Sequence, residues 1–412
     1  MTERVNTVIV GGGQAGLAMS AHLRSQGIDH LVLERDRIAE RWRSARWDSL
    51  VANGPAWHDR FPAQEFAGIG GDDFATRDDV VAYFESFAEA IESPLRCGVE
   101  VTSVTREADA AAFLIETSTG AIEAKNLVAA TGPFQTPVIP PLVPQTETIM
   151  QIHSAQYRNP DQLAKGSVLV VGAGSSGSQI ADELLRAGRR VFLSIGPHDR
   201  PPRRYRGKDF VWWLGVLGKW TLKTPPQGRE HVTIAVSGAY GGETIDFRRF
   251  AARGMTLLGM TERHDNGVMH FADDLARNII AGDENYLGLL DEADAYVAAN
   301  DIDLPDDPAA RRIDPDPDCM THPVRTLDLA AEGIGTIIWA TGYKQDFDWL
   351  KLDCFHADGR PQHHEGVAEL PGLYFLGLPW LSMRGSSFIW GVWEDAARLA
   401  GDIARRRGGK AA

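Results

Sequence analysis

Two glycine-rich turns, each preceded by a strand pattern and followed by a helix pattern, constrain this chain more than any other feature. The first lies in "VIVGGGQAGLA" at residues 8–18, and the second in "VVGAGSSGSQI" at residues 170–180. A turn that binds a dinucleotide needs one glycine for the tight turn, a second for the approach of the pyrophosphate and a third for helix–strand packing. Because both copies have this context, the sequence predicts an α/β protein with two Rossmann-like dinucleotide-binding domains.

The first turn has the features of a tightly held cofactor site. The N–H groups that open the following helix face a bound phosphate, and Glu34 ends the next strand, "HLVLE". A carboxylate at that position accepts hydrogen bonds from a ribose hydroxyl. FAD is the dinucleotide expected here. Its predicted contacts at this turn are Gly11, Gly13, Gln14, Ala15, Gly16 and Glu34.

The second turn differs at the end of its next strand, "VFLS", where Ser194 stands in place of an acidic residue. A carboxylate would repel the 2′-phosphate of NADPH, whereas arginines attract it. Three arginines follow within ten residues, so NADPH is the expected exchangeable dinucleotide, with NADH as the alternative. The predicted contacts are Gly172, Gly174, Ser175, Ser176, Gly177, Ser194, Arg200, Arg203 and Arg204.

Composition excludes several other classes of protein. The 412 residues are 43% hydrophobic and 24% charged, as in a globular protein of two or three domains. A net charge of −14 argues against a nucleic-acid partner. The chain has neither a membrane-span pattern nor a signal-peptide pattern, so a cytoplasmic location is expected. The cysteines are too far apart for a redox dithiol, and "HHE" at residues 363–365 lacks the second ligand cluster of a metal site.

The order of the patterns predicts one domain inserted into another. Residues 1–157 are expected to form the first part of a three-layer ββα FAD domain. Residues 158–333 are expected to form the NAD(P)H-binding domain with substrate-facing insertions, and residues 334–412 to complete the FAD domain. In the first part, Asp78 is the predicted cap of a helix whose apolar residues recur at helical spacing.

Further segments resemble one family. "LERDRIAERWRSARWDSLVANGP" at residues 33–55 is similar to its FAD segment, and "HSAQYR" at residues 153–158 to the second half of its F-x-G-x-x-x-H-x-x-x-Y/F-K/R fingerprint. "ATGP" at residues 130–133 and "ATGY" at residues 340–343 match its two domain-crossing turns. The chain therefore resembles the class B flavin-dependent monooxygenases, the flavin-containing monooxygenase group that includes the plant YUCCA-type enzymes.

The chain departs from that family at four positions. Glu147 and Ile149 replace the Phe and Gly that open the fingerprint. Tyr157 stands where the Baeyer–Villiger branch has tryptophan, which favours heteroatom oxygenation or YUCCA-like chemistry. Ser194 stands where YUCCA-like sequences have arginine, which leaves the choice between NADPH and NADH open.

The resemblance implies a mechanism. NADPH would reduce FAD, O2 as co-substrate would give a C4a-hydroperoxyflavin, and one oxygen would pass to a small organic substrate. Asn53 matches the family asparagine near the flavin, although "ANGP" also suits an ordinary turn. Trp390 and Trp393 are expected either near the substrate or in the core. The resemblance adds these cofactor contacts: Arg35, Arg41, Trp42, Val101, Thr131, Gly132, Ala340, Thr341, Gly342, Tyr343, Gly377 and Ser387.

Two other functions fit the same patterns. One is a flavoprotein NAD(P)H reductase or oxidase that passes electrons to a quinone or a protein without oxygen insertion. The other is a redox sensor that binds FAD and nicotinamide without turnover. The substrate itself and the oligomeric state are open, with a homodimer as one option.

Overall fold

The computed structural model describes residues 2–107, 111–225 and 234–408. Two sheets form its framework, a mixed one whose strand at residues 3–10 leads into the first glycine turn and a parallel one whose strand at residues 167–171 leads into the second. The strands are β1 (Glu3–Val10), β2 (His30–Glu34), β3 (Leu95–Cys97), β4 (Val101–Thr105), β5 (Phe113–Thr117), β6 (Gly120–Ala129), β7 (Thr136–Pro137), β8 (Met150–His153), β9 (Ser167–Val171), β10 (Val191–Ser194), β11 (Arg204–Tyr205), β12 (Lys208–Asp209), β13 (Thr256–Leu258), β14 (Thr261–Asp265), β15 (Val268–Phe271), β16 (Thr326–Asp328), β17 (Ile334–Trp339), β18 (Tyr343–Lys344), β19 (His363–His364), β20 (Val367–Ala368) and β21 (Leu373–Phe375).

One helix follows each glycine turn, and several more occur among the described residues between 210 and 321. The helices are α1 (Gln14–Ser25), α2 (Glu40–Ser44), α3 (Arg77–Ala90), α4 (Ser175–Arg186), α5 (Phe210–Val216), α6 (Ala239–Gly242), α7 (Phe247–Ala252), α8 (Leu275–Asn300), α9 (Asp318–Thr321) and α10 (Ile389–Gly408). In the described part of the chain, no helix is long and apolar enough to cross a membrane.

The first sheet has the order β19-β20-β21-β6-β1-β2-β3. Strand β1 is parallel to β2 and β6, and Val8 pairs with Leu31 on one side and Leu127 on the other. Its apolar end is fully buried because α1 and α10 pack in the same core. The hairpin β4–β5 extends this sheet, since β5 is antiparallel to the first half of β6. This is the predicted FAD-type domain.

The second sheet has the order β13-β10-β9-β17-β8 and corrects the predicted domain boundaries. Strand β8, at residues 150–153, and strand β17, at residues 334–339, both belong to it, whereas the sequence analysis placed them in the FAD domain. Strand β17 lies between β9 and β8, and all six of its residues are buried. A continuous apolar strand suits the middle of a parallel sheet, but it does not reveal which of two such sheets it joins.

The chain passes between the two domains twice, and the two passages pair with each other. Strands β7 and β18 form a short antiparallel ladder in which Tyr343 lies opposite Pro137. His153 is completely buried and connects the two passages. Its Nε2 lies 2.9 Å from the carbonyl oxygen of Gly342, and its Nδ1 accepts from the N–H of Ala155 at 3.1 Å. His153 therefore has a structural role at the junction.

Helix α3 positions the segment that leads to Asn53. Its cap is Thr76, which forms a capping box with Asp79; the predicted cap, Asp78, lies inside the helix. The residues around this cap bind the preceding loop, because Ala52 N–H donates to Ala75 O at 2.7 Å. The start of α3 thus supports the backbone next to Asn53.

Candidate active site

Among the glycines of the first turn, only Gly13 has free space where a Cβ would lie. A Cβ on Gly11, whose φ is +114°, would lie 2.6 Å from the carbonyl oxygen of Ala130, and one on Gly16 would lie 1.9 Å from the carbonyl oxygen of Gly11. A Cβ on Gly13 would meet no atom within 4 Å. The free space beside Gly13, at the N-terminus of α1, therefore suits a pyrophosphate.

Glu34 is held at the edge of this space. Its carboxylate accepts from the N–H of Gly12 at 2.7 Å and from the N–H of Asp36 at 2.9 Å. Two bonds leave further lone pairs on the carboxylate oxygens, so Glu34 can still accept from a ribose hydroxyl.

The structure brings several predicted contacts together around the same turn. Gln14 donates to the carbonyl oxygen of Ser387 at 2.7 Å, and a Cβ on Gly377 would lie 2.7 Å from the Cβ of Ala15. Thr131 is adjacent, with its Cα 3.4 Å from the Cβ that Gly11 lacks. Residues far apart in the sequence thus meet around the first glycine turn.

Other predicted contacts lie further from the turn and have partners of their own. Arg35 is exposed and pairs with Asp36. Arg41 donates to the carbonyl oxygens of Phe134 and Gln135, and Trp42 packs between the two cores. Val101 lies in strand β4, opposite Thr117. Their contact with FAD stays a prediction.

The second turn repeats the geometry of the first. A Cβ on Gly172, at φ +101°, would lie 2.5 Å from the carbonyl oxygen of Ala340, and one on Gly177 would lie 1.8 Å from the carbonyl oxygen of Gly172. Helix α4 begins directly afterwards with Ser175 and Ser176. Each Ala-Thr-Gly segment therefore lies against one glycine turn: residues 130–132 against the first, and residues 340–342 against the second.

The predicted phosphate contacts of the second domain need correction. Arg200 is 4% exposed, and its guanidinium lies 2.7 Å from the carboxylate of Asp283. Arg203 is 2% exposed and binds both carboxylate oxygens of Asp209. Because both cations are buried and already neutralised, neither is available to a 2′-phosphate.

The other two predicted contacts near that strand end are also engaged. Ser194 is 2% exposed; its hydroxyl donates to the carbonyl oxygen of Gly259 and accepts from Thr261, both at 2.9 Å. Arg204 is exposed and donates to the carbonyl oxygen of Gly241 at 3.0 Å. Of the three predicted arginines, only Arg204 has an exposed side chain.

Asn53 lies at the junction of the two domains. Its side-chain oxygen accepts from Gln179 of α4 at 2.9 Å, and its backbone carbonyl accepts from Arg203 at 2.6 Å. Gln179 also donates to the carbonyl oxygen of Val236 at 2.6 Å. Gln179 is absent from the predicted contacts and Arg203 was predicted to bind phosphate, since no local pattern reveals a contact between residues 126 positions apart.

An aromatic cavity of ≈ 290 Å³ opens beside the Asn53 loop. Its wall includes Trp57, Trp212, Trp220, Trp390 and His58. The two tryptophans that the sequence analysis singled out are in different places, because Trp393 packs in the core against His22, Phe61 and Phe87. Trp390 alone fits the substrate-side expectation.

Two dinucleotide-binding domains with a polar loop at their junction define a two-domain oxidoreductase of Rossmann type. The family model described as "Pyridine nucleotide-disulphide oxidoreductase" matches residues 8–214. The chain is 31% identical over 407 residues to an uncharacterized CzcO-like oxidoreductase of Geobacillus kaustophilus, covering 98% of this chain and 99% of that protein. It is 32% identical over 420 residues to the indole-3-pyruvate monooxygenase YUCCA1 of Oryza sativa, covering 96% and 90%.

Solved structures share the whole fold. The flavin-containing monooxygenase of Stenotrophomonas maltophilia superposes with a TM-score of 0.67 at 19% identity, covering 98% of this chain and all of that one. The bacillithiol disulfide reductase of Bacillus cereus superposes with a TM-score of 0.62 at 15% identity over 98% of this chain. The chain belongs to the pyridine nucleotide-disulphide oxidoreductase family and, within it, is a class B flavin-dependent monooxygenase.

Proposed function

We propose that this enzyme uses FAD, NADPH and O2 to transfer one oxygen atom to a small organic molecule, with NADH as the alternative electron donor. In the balanced reaction, NADPH supplies a hydride and the solution supplies one proton. One oxygen atom of O2 enters the substrate, and the other leaves as water. The reaction is N- or S-oxygenation or the oxidative decarboxylation of a 2-oxo acid. A cytoplasmic location and a homodimer stay predictions from the sequence.

The residues around the first glycine turn fit FAD. The space beside Gly13 accommodates a pyrophosphate, and Glu34 has lone pairs left for a ribose. When bound, FAD supplies two-electron acceptance from the nicotinamide and reactivity with O2. The second turn has the same close packing at Gly172 and Gly177 and leads directly into α4, whose N-terminus suits the pyrophosphate of a nicotinamide dinucleotide. Because Arg200 and Arg203 are buried in ion pairs, the choice of NADPH over NADH rests on Arg204.

The observation that carries the proposal is the fixed amide of Asn53. Its oxygen and its backbone carbonyl are both bound by groups of the second domain, through Gln179 and Arg203. The amide nitrogen retains N–H groups that can donate. A donor held at a domain junction stabilises negative charge on a reacting oxygen without reorganising during the reaction.

The aromatic cavity complements this donor. Its wall includes four tryptophans, which offer apolar surface to an organic substrate. Exclusion of water is needed because activated oxygen that meets stray protons is lost as H2O2. The cavity therefore supplies apolar contact for the substrate, and the Asn53 amide supplies a hydrogen-bond donor for the reacting oxygen.

Oxygen accounting in the flavin-saturated enzyme tests the proposal. NADPH and NADH oxidation, H2O2 release and product formation are measured with amines, thioethers and 2-oxo acids, using ¹⁸O2 to trace the inserted atom. Incorporation of one labelled atom per NADPH is expected with at least one substrate class. In Asn53→Ala, NADPH oxidation should continue while oxygen is diverted to H2O2, whereas Asn300→Ala, at the exposed end of α8, should behave as wild type.

Other outcomes would identify the competing functions. H2O2 equal to the NADPH consumed, with no label in any product, would indicate a reductase or oxidase. Failure of NADPH and NADH to reduce the flavin at all would indicate a sensor. Unchanged coupling in Asn53→Ala would remove Asn53 from the reaction.

A further inference from the structure

Helix α5 separates two cavities. Trp212 and Val216 line the aromatic cavity, whereas Phe210 and Leu214, on the opposite face of the helix, line a second cavity of ≈ 170 Å³. Charged and amide side chains complete the wall of this second space, which we call the polar cavity. The polar cavity therefore differs from the aromatic cavity in both place and chemistry.

One side of the polar cavity is apolar. Phe210, Leu214 and Leu289 are buried in one hydrophobic cluster, against which Ile234 packs. These side chains come from α5, from α8 and from the segment before α6. They offer apolar contact to the hydrocarbon part of a small ligand.

The other side contains two charged side chains without a partner, Arg384 and Asp199. Both are half-buried, and among the described residues neither has a hydrogen bond or an ion pair to its charged group. The buried side-chain atoms that lack a partner belong to other residues, so water reaches the guanidinium and the carboxylate. Both charges are therefore open to the cavity that the two residues line.

The two charges act on each other without pairing directly. Burial raises the pKa of Asp199, and the positive charge of Arg384 opposes that rise. Burial lowers the pKa of Arg384, and the charge of Asp199 opposes that fall. The backbone of each residue is fixed, since Asp199 O accepts from Ala235 N–H and Arg384 N–H donates to Leu222 O, both at 2.9 Å. The structure thus presents a cation and an anion with a gap between them.

The remaining polar groups of the wall are paired, with one exception. Nζ of Lys219 lies 2.9 and 2.8 Å from the two carboxylate oxygens of Glu292, which neutralise it. Oδ1 of Asn285 accepts from the N–H of Arg200 at 3.0 Å, and its amide nitrogen keeps N–H groups that can donate. The polar cavity therefore offers a ligand one cation, one anion and one amide donor.

We propose that the polar cavity binds a free amino acid with an apolar side chain, whose carboxylate pairs with Arg384 and whose ammonium pairs with Asp199. A guanidinium suits a carboxylate because it can donate two parallel hydrogen bonds. Asn285 supplies a further donor for that carboxylate, and the apolar wall contacts the side chain. A zwitterion compensates both protein charges at once, whereas a simple acid or amine leaves one of them without a partner.

The polar cavity is tied to both dinucleotide sites. Ser175, which begins α4 at the second glycine turn, donates to the carbonyl oxygen of Ile234 at 2.8 Å. Arg384 is three residues before Ser387, whose carbonyl oxygen accepts from Gln14 at the first turn. Binding at this site goes beyond the proposed oxygen transfer and does not depend on it.

Three probes of similar shape separate the two charges. L-Leucine has both, 4-methylpentanoate lacks the ammonium group, and 3-methylbutylamine lacks the carboxylate. Their affinities for the oxidised, flavin-saturated enzyme are measured by calorimetry without NADPH. We expect leucine to bind about tenfold more tightly than either analogue, because each analogue leaves one charge of the cavity unmatched.

Variants assign each charge to its residue. Arg384→Gln should weaken leucine and 4-methylpentanoate about tenfold without weakening 3-methylbutylamine. Asp199→Asn should weaken leucine and 3-methylbutylamine without weakening 4-methylpentanoate. Arg277→Gln, on an exposed side chain of the helix that carries Asn285, is the control and should bind all three probes as the wild type does.

Three results would overturn the proposal: no probe binds, an analogue binds as tightly as leucine, or Arg384→Gln leaves the affinity for leucine unchanged. Flavin content and urea unfolding verify that each variant is folded. NADPH oxidation and ¹⁸O incorporation are measured in the same preparations. Their absence with the preference for leucine intact would reject the proposed function and leave the polar cavity as a binding site.

Discussion

Arg203 joins three parts of the molecule. Its guanidinium binds Asp209 and the carbonyl oxygen of Asn53, and it lies over the rings of Phe74 and Phe210, 4.7 and 4.6 Å from their centroids. A buried cation with this many partners serves the architecture of the junction. A ligand phosphate would have to displace Asp209, at the cost of leaving a buried carboxylate alone.

We therefore expect Arg203→Ala to lower the free energy of unfolding by about 3–5 kcal/mol, since the substitution leaves Asp209 buried without its partner. Urea unfolding measures the change. Arg204→Ala is the matched control, and its exposed side chain should contribute less than about 1 kcal/mol. If Arg203→Ala were as stable as wild type but selectively raised the KM for NADPH over NADH, Arg203 would be a phosphate ligand after all.

Gly13 gives the sharpest test of the first nucleotide site. Gly13→Ala places a methyl group where no protein atom lies within 4 Å, so the fold should tolerate it while FAD is lost through contact with the pyrophosphate. Flavin absorbance per mole of purified protein measures the effect. Gly401→Ala in α10, whose new Cβ would make only an ordinary contact at 3.6 Å, is the control. Full flavin content in Gly13→Ala would refute the placement of the cofactor.

The cap of helix α3 supports the loop that carries Asn53, because Ala75, next to the cap residue Thr76, accepts from the N–H of Ala52. Thr76→Val removes the hydroxyl that accepts from Asp79 N–H, and we expect it to lower the free energy of unfolding by about 1 kcal/mol. Thr76→Ser keeps the hydroxyl and should unfold like wild type in urea. Equal stability of the two variants would mean that the capping box does not stabilise the helix.

The sequence predicted the elements better than their partners. Both glycine turns can be recognised from the sequence alone, because only glycine fits at Gly16 and Gly177, where a Cβ would collide with the turn itself. Strand β17 carries only an apolar pattern, which suits either sheet, so its assignment to the FAD domain was wrong. Likewise, the sequence shows that Arg203 is near Ser194 but not that Asp209 neutralises it.

The same limit applies to the site. The resemblance identified Asn53, while the groups that hold it, Gln179 and Arg203, come from another domain. Arg384 and Asp199 carry no pattern of their own, because a single Arg or Asp is as ordinary on a surface as in a cavity. Burial separates these cases, and burial at a domain junction depends on how two separately encoded cores meet.

Buried histidines across both domains couple the stability of the whole molecule to pH. Burial lowers the pKa of three histidines below the usual value: His30 in the first domain, His153 at the junction and His198 in the second domain. Each is held neutral in the folded state, whereas the unfolded chain takes up protons near pH 6.5. Their contribution to stability is therefore fully present above about pH 6.5 and is lost as the pH falls toward the lowered pKa values.

We accordingly expect the free energy of unfolding in urea to decrease between pH 7.5 and 5.5, before most carboxylates titrate. His198 donates through Nδ1 to the carbonyl oxygen of Gly196 and has no partner for Nε2 among the described residues, so it cannot readily accept a second proton. His198→Gln should flatten the pH dependence. His364→Gln, on an exposed side chain, should leave the slope unchanged. A stability that is constant over this range in the wild type would show that the buried histidines are protonated as easily in the folded protein as in the unfolded chain.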